Sequence, residues 1–236
     1  MSTPEGILLA SQSPRRRELI KLLGLPVQAA AANVDETPLP NEAPADYVRR
    51  LAATKAQALT HVLSGGRSEA PDEMGKLRWI VAADTAVVDR GEILGKPADE
   101  AEAEAMLRRL RGREHAVLTG VAVLDTLTGR METTVERTAV FMRAFTDDEI
   151  AAYVASGDPL DKAGAYAIQN RAFAPVERIE GCYANVVGLP LCTLACMLRT
   201  LGASPAEDVP ARCVAALGYN CAGNLSACVP SEQQDL

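Results

Sequence analysis

Aromatic residues are scarce, with one Trp, three Phe and five Tyr in 236 residues. A row of stacking platforms for single-stranded nucleic acid is therefore disfavoured. Histidine is scarcer still: His61 lies in a helical stretch among polar residues and His115 at a strand start. Two separated imidazoles give no histidine metal cluster and no obvious Ser-His or Cys-His nucleophile pair. Positive charge is in deficit, since 24 Lys and Arg against 31 Asp and Glu leave a net charge of −7 and a pI near 5.0. Phosphate backbones are bound mainly by summed positive charge, so stable nucleic-acid binding is not expected. A small anion in a local basic pocket remains open, because pocket charge and net charge are separate quantities. No apolar run approaches the roughly 20 residues that span a bilayer. The first apolar stretch has no basic flank, so neither a membrane span nor a signal peptide is expected. The six cysteines all lie from Cys182 onward, and none has C-x-x-C spacing. Reduced thiols follow as the default. The phosphate-loop, dinucleotide-binding and nucleophile-elbow motifs are all missing.

What is present is an ordinary globular composition, 48% hydrophobic and 23% charged, which excludes a mostly disordered chain. Ile7–Ala10 reads as a buried strand, followed by a helix from Arg15 to Leu23 that Ser13 caps, Pro14 opens and Gly24 ends. Residues 29–40 read as a short strand and loop, and Ala45–Leu63 as an amphipathic helix. Trp79–Val88 reads as a buried strand broken by Asp84, with Glu92–Leu94 as its return. A helix over Glu100–Arg111, paired strands over His115–Asp125 and Thr133–Ala144, and a capping-box helix from Thr146 to about Ser156 follow. Gly164–Ile168, Ala174–Ile179 and Tyr183–Val187 are strand candidates, and Leu191–Leu201 is a final helix. Interleaved helices and strands predict an α/β class with a central sheet. One domain over residues 1–202 is expected, with 203–236 as a tail of uncertain structure.

Four clusters could carry chemistry. Ser11-Gln12-Ser13-Pro14-Arg15-Arg16-Arg17 gathers two hydroxyls, a helix N-terminus and guanidiniums, which suits an anion. The same residues also fit an ordinary Ser-Pro cap before a solvated basic face. Asp84, inside an apolar strand and followed by Thr85, is a carboxylate where one is rarely placed without a partner, metal or role. It could help hold a divalent cation or orient water. Gly95-Lys96-Pro97 puts a mobile cation just after a strand, and Lys55 sits within the long helix; each alone is weak. Asp161 to Gln169 ends in a carboxamide, whose adjacent donor and acceptor match the edge of uracil or thymine, although an exposed glutamine needs no such role.

Taken together and in register, these segments resemble the Maf family of nucleotide pyrophosphatases. The resemblance runs from Ile7 to Leu201 through Leu9-Ala10-Ser11, Ser13-Pro14-Arg15-Arg16, Asp35-Glu36, Tyr47-Val48, Lys55-Ala56, Ala83-Asp84-Thr85, Gly95-Lys96-Pro97, Asp161-Lys162-Ala163-Gly164-Ala165-Tyr166, Ile168-Gln169 and Asn185 to Pro190. It implies an elongated two-lobed fold, like that of inosine triphosphate pyrophosphatase, with a central mixed sheet and a cleft between lobes. It also implies hydrolysis of a nucleoside triphosphate to monophosphate and pyrophosphate, a divalent cation (Mg²⁺ or Mn²⁺), a homodimer and a cytoplasmic location. The motif from Asp161 to Gln169 is similar to that of the dTTP/UTP branch. By position the resemblance gives catalytic roles to Asp84 (the base), Lys55 and Lys96. It gives substrate contacts to Ser11, Ser13, Arg15, Arg16, Thr85 and Gln169, and metal ligation to Glu36 and Asp84. Gln12, Asn170 and Cys182 depart from the residues frequent in the family. The alternatives are a pyrophosphatase for modified purine triphosphates and a nucleotide-sensing regulator of cell division acting through protein partners.

Overall fold

A computed structural model describes residues 5–64 and 77–219. The loop expected over Ser64–Lys76 and the end of the tail therefore lie largely outside the described residues. The elements are β1 (Gly6–Ala10), α1 (Pro14–Ile20), β2 (Val27–Ala30), α2 (Pro44–Ala58), α3 (Thr60–Ser64), β3 (Leu77–Asp89), β4 (Glu92–Leu94), α4 (Glu100–Leu110), β5 (Glu114–Asp125), β6 (Met131–Met142), α5 (Asp147–Ala155), β7 (Val176–Glu180), α6 (Tyr183–Val187), α7 (Leu191–Thr200) and α8 (Val209–Leu217). Seven strands form one mixed sheet in the order β2-β1-β3-β5-β6-β7, with β4 added on β3. The expected α/β class with a central mixed sheet is what the chain adopts. No described helix is long and apolar enough to cross a membrane.

β3 is the axis of the sheet. Its whole length is buried or nearly so, and alternate residues point to opposite faces. Ile80 and Ala82 pack with Leu8, Ala52 and Ala56 under α2, and Ala86 and Val88 with Val48 of the same helix. Trp79, Val81 and Ala83 face the other way, into a cluster with Leu19, Leu191 and Leu198. Val87, on that same face, joins Leu107, Val140 and Ile150 beneath α4 and α5. Burial of these side chains contributes on the order of 1.5–3 kcal/mol each.

α2 approaches the sheet closely because β5 carries a glycine. A Cβ at Gly120 would stand 2.2 Å from the Val48 carbonyl oxygen. Gly120 is also the register partner of Asp84, so the helix comes nearest the sheet where the carboxylate lies.

The local chemistry explains most boundaries. Ser13 Oγ accepts from the Arg16 N–H at 3.4 Å, with Pro14 as the first helical residue. Thr146 and Glu149 form the expected capping box. Two strand expectations fail. Gly164–Ile168 is not a strand: Gly164 and Ala165 take φ of 70° and 60° in a short turn, a left-handed conformation no strand permits. A Cβ at Gly164 would also meet Val87 Cγ1 at 2.9 Å. Tyr183–Val187 is a helical turn, closed by Gly188 at φ 119°; periodicity cannot separate helix from strand in so short an apolar run. Within residues 203–236, Val209–Leu217 is helical, and Val209 and Cys213 are buried in the main core. Cys196 is disulfide-bonded, where a reduced thiol was the expectation.

Candidate active site

β1 and β4 pair with the same edge of β3 but do not meet. β1 reaches Val81 and β4 begins at Val87, so the edge between them has no neighbouring strand. A cavity of about 1060 Å³ opens there. Ser11, just after β1, and Lys96, just after β4, stand on its two sides, with Asp84 and Thr85 between. Open α/β sheets bind ligands where strand ends diverge in this way.

The ten residues given catalytic, substrate or metal roles all line this cavity: Ser11, Ser13, Arg15, Arg16, Glu36, Lys55, Asp84, Thr85, Lys96 and Gln169. The alternation of β3 sends the two central residues to opposite faces. Asp84, on the α2 side, accepts from Lys55 Nζ at 2.6 Å, and Glu36 Oε1 lies 2.7 Å from the same ammonium. Lys55 and Asp84 are both buried, so the pair is weakly screened. Its ammonium leaves each carboxylate with unshared lone pairs.

On the opposite face, Thr85 Oγ1 accepts from Arg16 Nη2 at 2.9 Å and lies 2.9 Å from Thr119 Oγ1, which donates to the Asn185 carbonyl at 3.1 Å. With Thr119 donating there, Thr85 donates to Thr119, and the chain of bonds has one direction. Arg16 Nε donates to the Gly188 carbonyl at 2.7 Å. Gly188 takes φ 119°, a backbone conformation that side-chain-bearing residues rarely adopt. Burial holds the Arg16 pKa below its usual value, and nearby Asp84 opposes that; an arginine remains a cation regardless. Asn185 fixes α6 from within: its Nδ2 donates to the Val117 carbonyl at 3.1 Å and to Thr138 Oγ1 at 3.0 Å.

Charge in the cavity is opposite in sign to that of the chain. Arg15, Arg16, Lys55, Lys96 and Lys162 outnumber Glu36, Asp84 and Asp161. A polyanion is the ligand this favours, and the turn at Ser11–Pro14 adds backbone N–H groups. Lys162, given no role by sequence reasoning, is buried and donates to the Asp158 carbonyl and to Asp161 Oδ1, both at 2.6 Å. Its signal was the Asp-Lys dipeptide, but sequence cannot show that the ammonium turns inward. Tyr47 was named within the resemblance but given no role. Its hydroxyl donates to the Glu36 carbonyl at 3.0 Å. Burial, then Asp84 and Glu36, push its pKa up to about 12, so it is a neutral donor.

A divalent cation finds a partial donor set. No three His, Cys, Asp or Glu gather among the described residues, so no all-protein cage is present. Asp84 and Glu36, bridged by one ammonium, fit Mg²⁺, which commonly takes one or two carboxylates and completes its shell with water and phosphate oxygens.

The chain is 48% identical over 196 residues to a dTTP/UTP pyrophosphatase of Pelotomaculum thermopropionicum, covering 83% of this chain and 96% of that protein. It is 49% identical over 197 residues to the dTTP/UTP pyrophosphatase of Geobacter sulfurreducens (84% and 97%). For that of Salinibacter ruber the identity is 51% over 203 residues (85% and 92%). Among solved structures, the Staphylococcus aureus Ham1 protein aligns with a TM-score of 0.44 and 13% identity over 84% of this chain and all of that one, too distant to carry an argument. The Maf-like protein family matches residues 6–201. With such a match over most of its length and relatives near half identical, this chain belongs to the Maf family.

Proposed function

We infer that the protein is a nucleoside triphosphate pyrophosphatase that hydrolyses dTTP and UTP to the monophosphate and pyrophosphate, as a house-cleaning activity on non-standard nucleotides. The observation that carries the reading is the buried Lys55–Asp84 pair at an unpaired strand edge, facing a cationic cavity large enough for a nucleotide. The relatives' names support the substrate class.

In this reading Asp84 accepts the proton of the attacking water, and Lys55 holds the carboxylate in place through its 2.6 Å contact. The water oxygen bonds to the α-phosphorus and the bond to the bridging oxygen breaks. Negative charge then grows on pyrophosphate, where Arg15, Arg16 and Lys96 stabilise it. Ser11 and Ser13 donate to phosphate oxygens. Thr85 holds Arg16 in register, and Gln169 reads the donor–acceptor edge of a pyrimidine. Asp84 and Glu36 would hold a divalent cation, Mg²⁺ or Mn²⁺, which supplies charge neutralisation when bound. No covalent nucleophile is required, in keeping with the poor histidine content. The reading includes a homodimer acting on the cytoplasmic nucleotide pool.

The test is incubation with a panel of ordinary and modified nucleoside triphosphates and Mg²⁺ or Mn²⁺, with pyrophosphate and orthophosphate quantified separately. Pyrophosphate from dTTP and UTP, lost in Asp84→Asn and on chelation, is expected. Orthophosphate as the product would refute the site of cleavage. Preference for a purine would refute the role of Gln169. Folded protein inert toward every nucleotide would favour a sensor.

A further inference from the structure

Helix α8 lies beyond residues 6–201, the extent of the family match, yet it is built into the fold at both ends. At its start, Val209 and Cys213 enter the core. The Ala206 N–H donates to the Leu23 carbonyl at 2.8 Å, which ties the preceding segment to the turn that follows α1. At its end, Tyr219 stacks on Tyr183 with ring centroids 5.2 Å apart and planes 24° apart. The Tyr219 hydroxyl donates to the Ile179 carbonyl at 3.4 Å. Tyr183 opens α6, whose closing residue Gly188 holds Arg16.

The same end of α8 borders a second chamber of about 490 Å³. Ala216 and Leu217 form one side, Tyr183 and Val176 another, and Asn170 and Arg171 supply polar groups. Ile168 and Gln169 line both this chamber and the main cavity. Ile168 and Gln169 are thus the boundary the two spaces share, with α8 on its far side.

We propose that the last turn of α8, with Tyr183 backed by its stack on Tyr219, forms the outer wall of the base end of the nucleotide site and sets the size of base it accepts. The ligand class is a pyrimidine nucleoside triphosphate whose ring substituent projects into the chamber, where the walls favour small apolar or aromatic groups. The proposal rests on the reading of Gln169 as the base-facing residue. It goes beyond that reading because the wall is supplied by a segment outside the family pattern. Pockets exclude an oversized group more sharply than an undersized one, so filling the chamber is the decisive perturbation.

The experiment uses the full chain. Ala216 is exposed, so Ala216→Trp narrows the chamber without touching the core. Tyr219→Ala removes the stack, and Tyr219→Phe keeps it. For each variant, KM and kcat are measured for dTTP and UTP, together with inhibition by tripolyphosphate, which occupies the phosphate end alone. Calorimetric binding of dTMP reports the base end without turnover. Ala216→Trp is expected to raise nucleotide KM and the dTMP Kd about tenfold, with kcat and tripolyphosphate inhibition unchanged. Tyr219→Ala is expected to raise KM and admit bulkier bases, and Tyr219→Phe to match the unsubstituted protein. Unaltered KM, dTMP affinity and base preference in Ala216→Trp and Tyr219→Ala, both folded, would overturn the proposal. An equal loss of tripolyphosphate inhibition would also overturn it, because the effect would then be on the whole site. If the protein binds dTMP, and Ala216→Trp weakens that binding, but no triphosphate is hydrolysed, the wall stands and the hydrolase reading falls.

Discussion

Replacing Gly120 by alanine should damage both stability and catalysis, against the usual effect of that substitution. At a position whose backbone tolerates a side chain, Gly→Ala stabilises by about 0.4–1 kcal/mol through the unfolded state. Gly120 does not have a left-handed φ, so the backbone itself raises no objection. The obstacle is α2. An alanine Cβ would lie 2.2 Å from the Val48 carbonyl oxygen, 2.4 Å from its carbon and 2.8 Å from the Arg49 nitrogen. These are backbone atoms that no rotamer change can move aside, and contacts under 3.0 Å are essentially never seen. The helix must therefore retreat by roughly 0.8 Å or the strand must buckle, and overpacking of this kind costs about 1–3 kcal/mol. At about 2–4 °C per kcal/mol for a chain of this size, Tm should fall by about 2–12 °C. Lys55 rides the same helix two turns beyond Val48, and its 2.6 Å contact with Asp84 would stretch past charge-assisted range. A displacement near 1 Å can cost about 10²-fold in rate, so kcat should fall by at least tenfold. Gly95→Ala is the stability control, because a Cβ there meets nothing within 4 Å. Calorimetry and a pyrophosphate-release assay decide the matter. A Tm equal to or above that of the unsubstituted protein, with full kcat, would refute the close approach of helix and sheet and the account of how Lys55 is placed.

Other expectations follow from single contacts. Asp84→Asn should lower kcat by at least ~10²-fold; a near-normal rate in the folded variant would remove Asp84 as the base. Arg16→Lys cannot reach the Gly188 carbonyl and Thr85 together as the guanidinium does, so substrate KM should rise about tenfold, and an unchanged KM would contradict the clamp. Asn185→Ala leaves the buried Val117 carbonyl without its side-chain donor, which should destabilise by about 1–3 kcal/mol in chemical denaturation; a smaller loss than that of an exposed substitution would argue against the anchor. His115 donates a pH signature. Burial pushes its pKa down to about 4, Asp89 opposing and Arg113 adding to the shift, and its Nε2 lies 2.7 Å from the Tyr166 hydroxyl. Because the folded pKa lies below the unfolded value near 6.5, this stability is complete above about pH 6.5 and is lost as pH falls toward 4. Tm should therefore decline between pH 6.5 and 5, and His115→Gln should flatten that decline; the same slope in the variant would sink the assignment.

The strands and long helices were legible because their signals are local. The Ser13-Pro14 cap and the capping box at Thr146 each draw on neighbours a few residues apart. The failures have non-local causes. Residues 164–168 look strand-like until Val87 is packed against Gly164. The Tyr183–Val187 helix is held by Asn185 bonding to β5 and β6, contacts no window of sequence contains. In the same way, Lys162 and Tyr47 were given no role because a lysine and a tyrosine acquire direction only when the fold buries them.

The candidate site shows why its central residues had to be adjacent. Asp84 and Thr85 are consecutive on a strand, so they point to opposite faces of the sheet. A ligand in the middle of either face could reach only one of them. The gap left between β1 and β4 changes this, because at an open strand edge both faces meet the same cavity. Asp84 can then be held from the α2 side by Lys55, while Thr85 is held from the other side by Arg16 and Thr119. The carboxylate and the arginine are thereby supported by separate layers of the core, and neither has to compete with the other for its partners. A strand that continued β1 by two or three residues would close the edge and separate the two supports, whatever side chains it carried. The interruption of the sheet, as much as the charged residues around it, is what gives this edge the geometry of an active site.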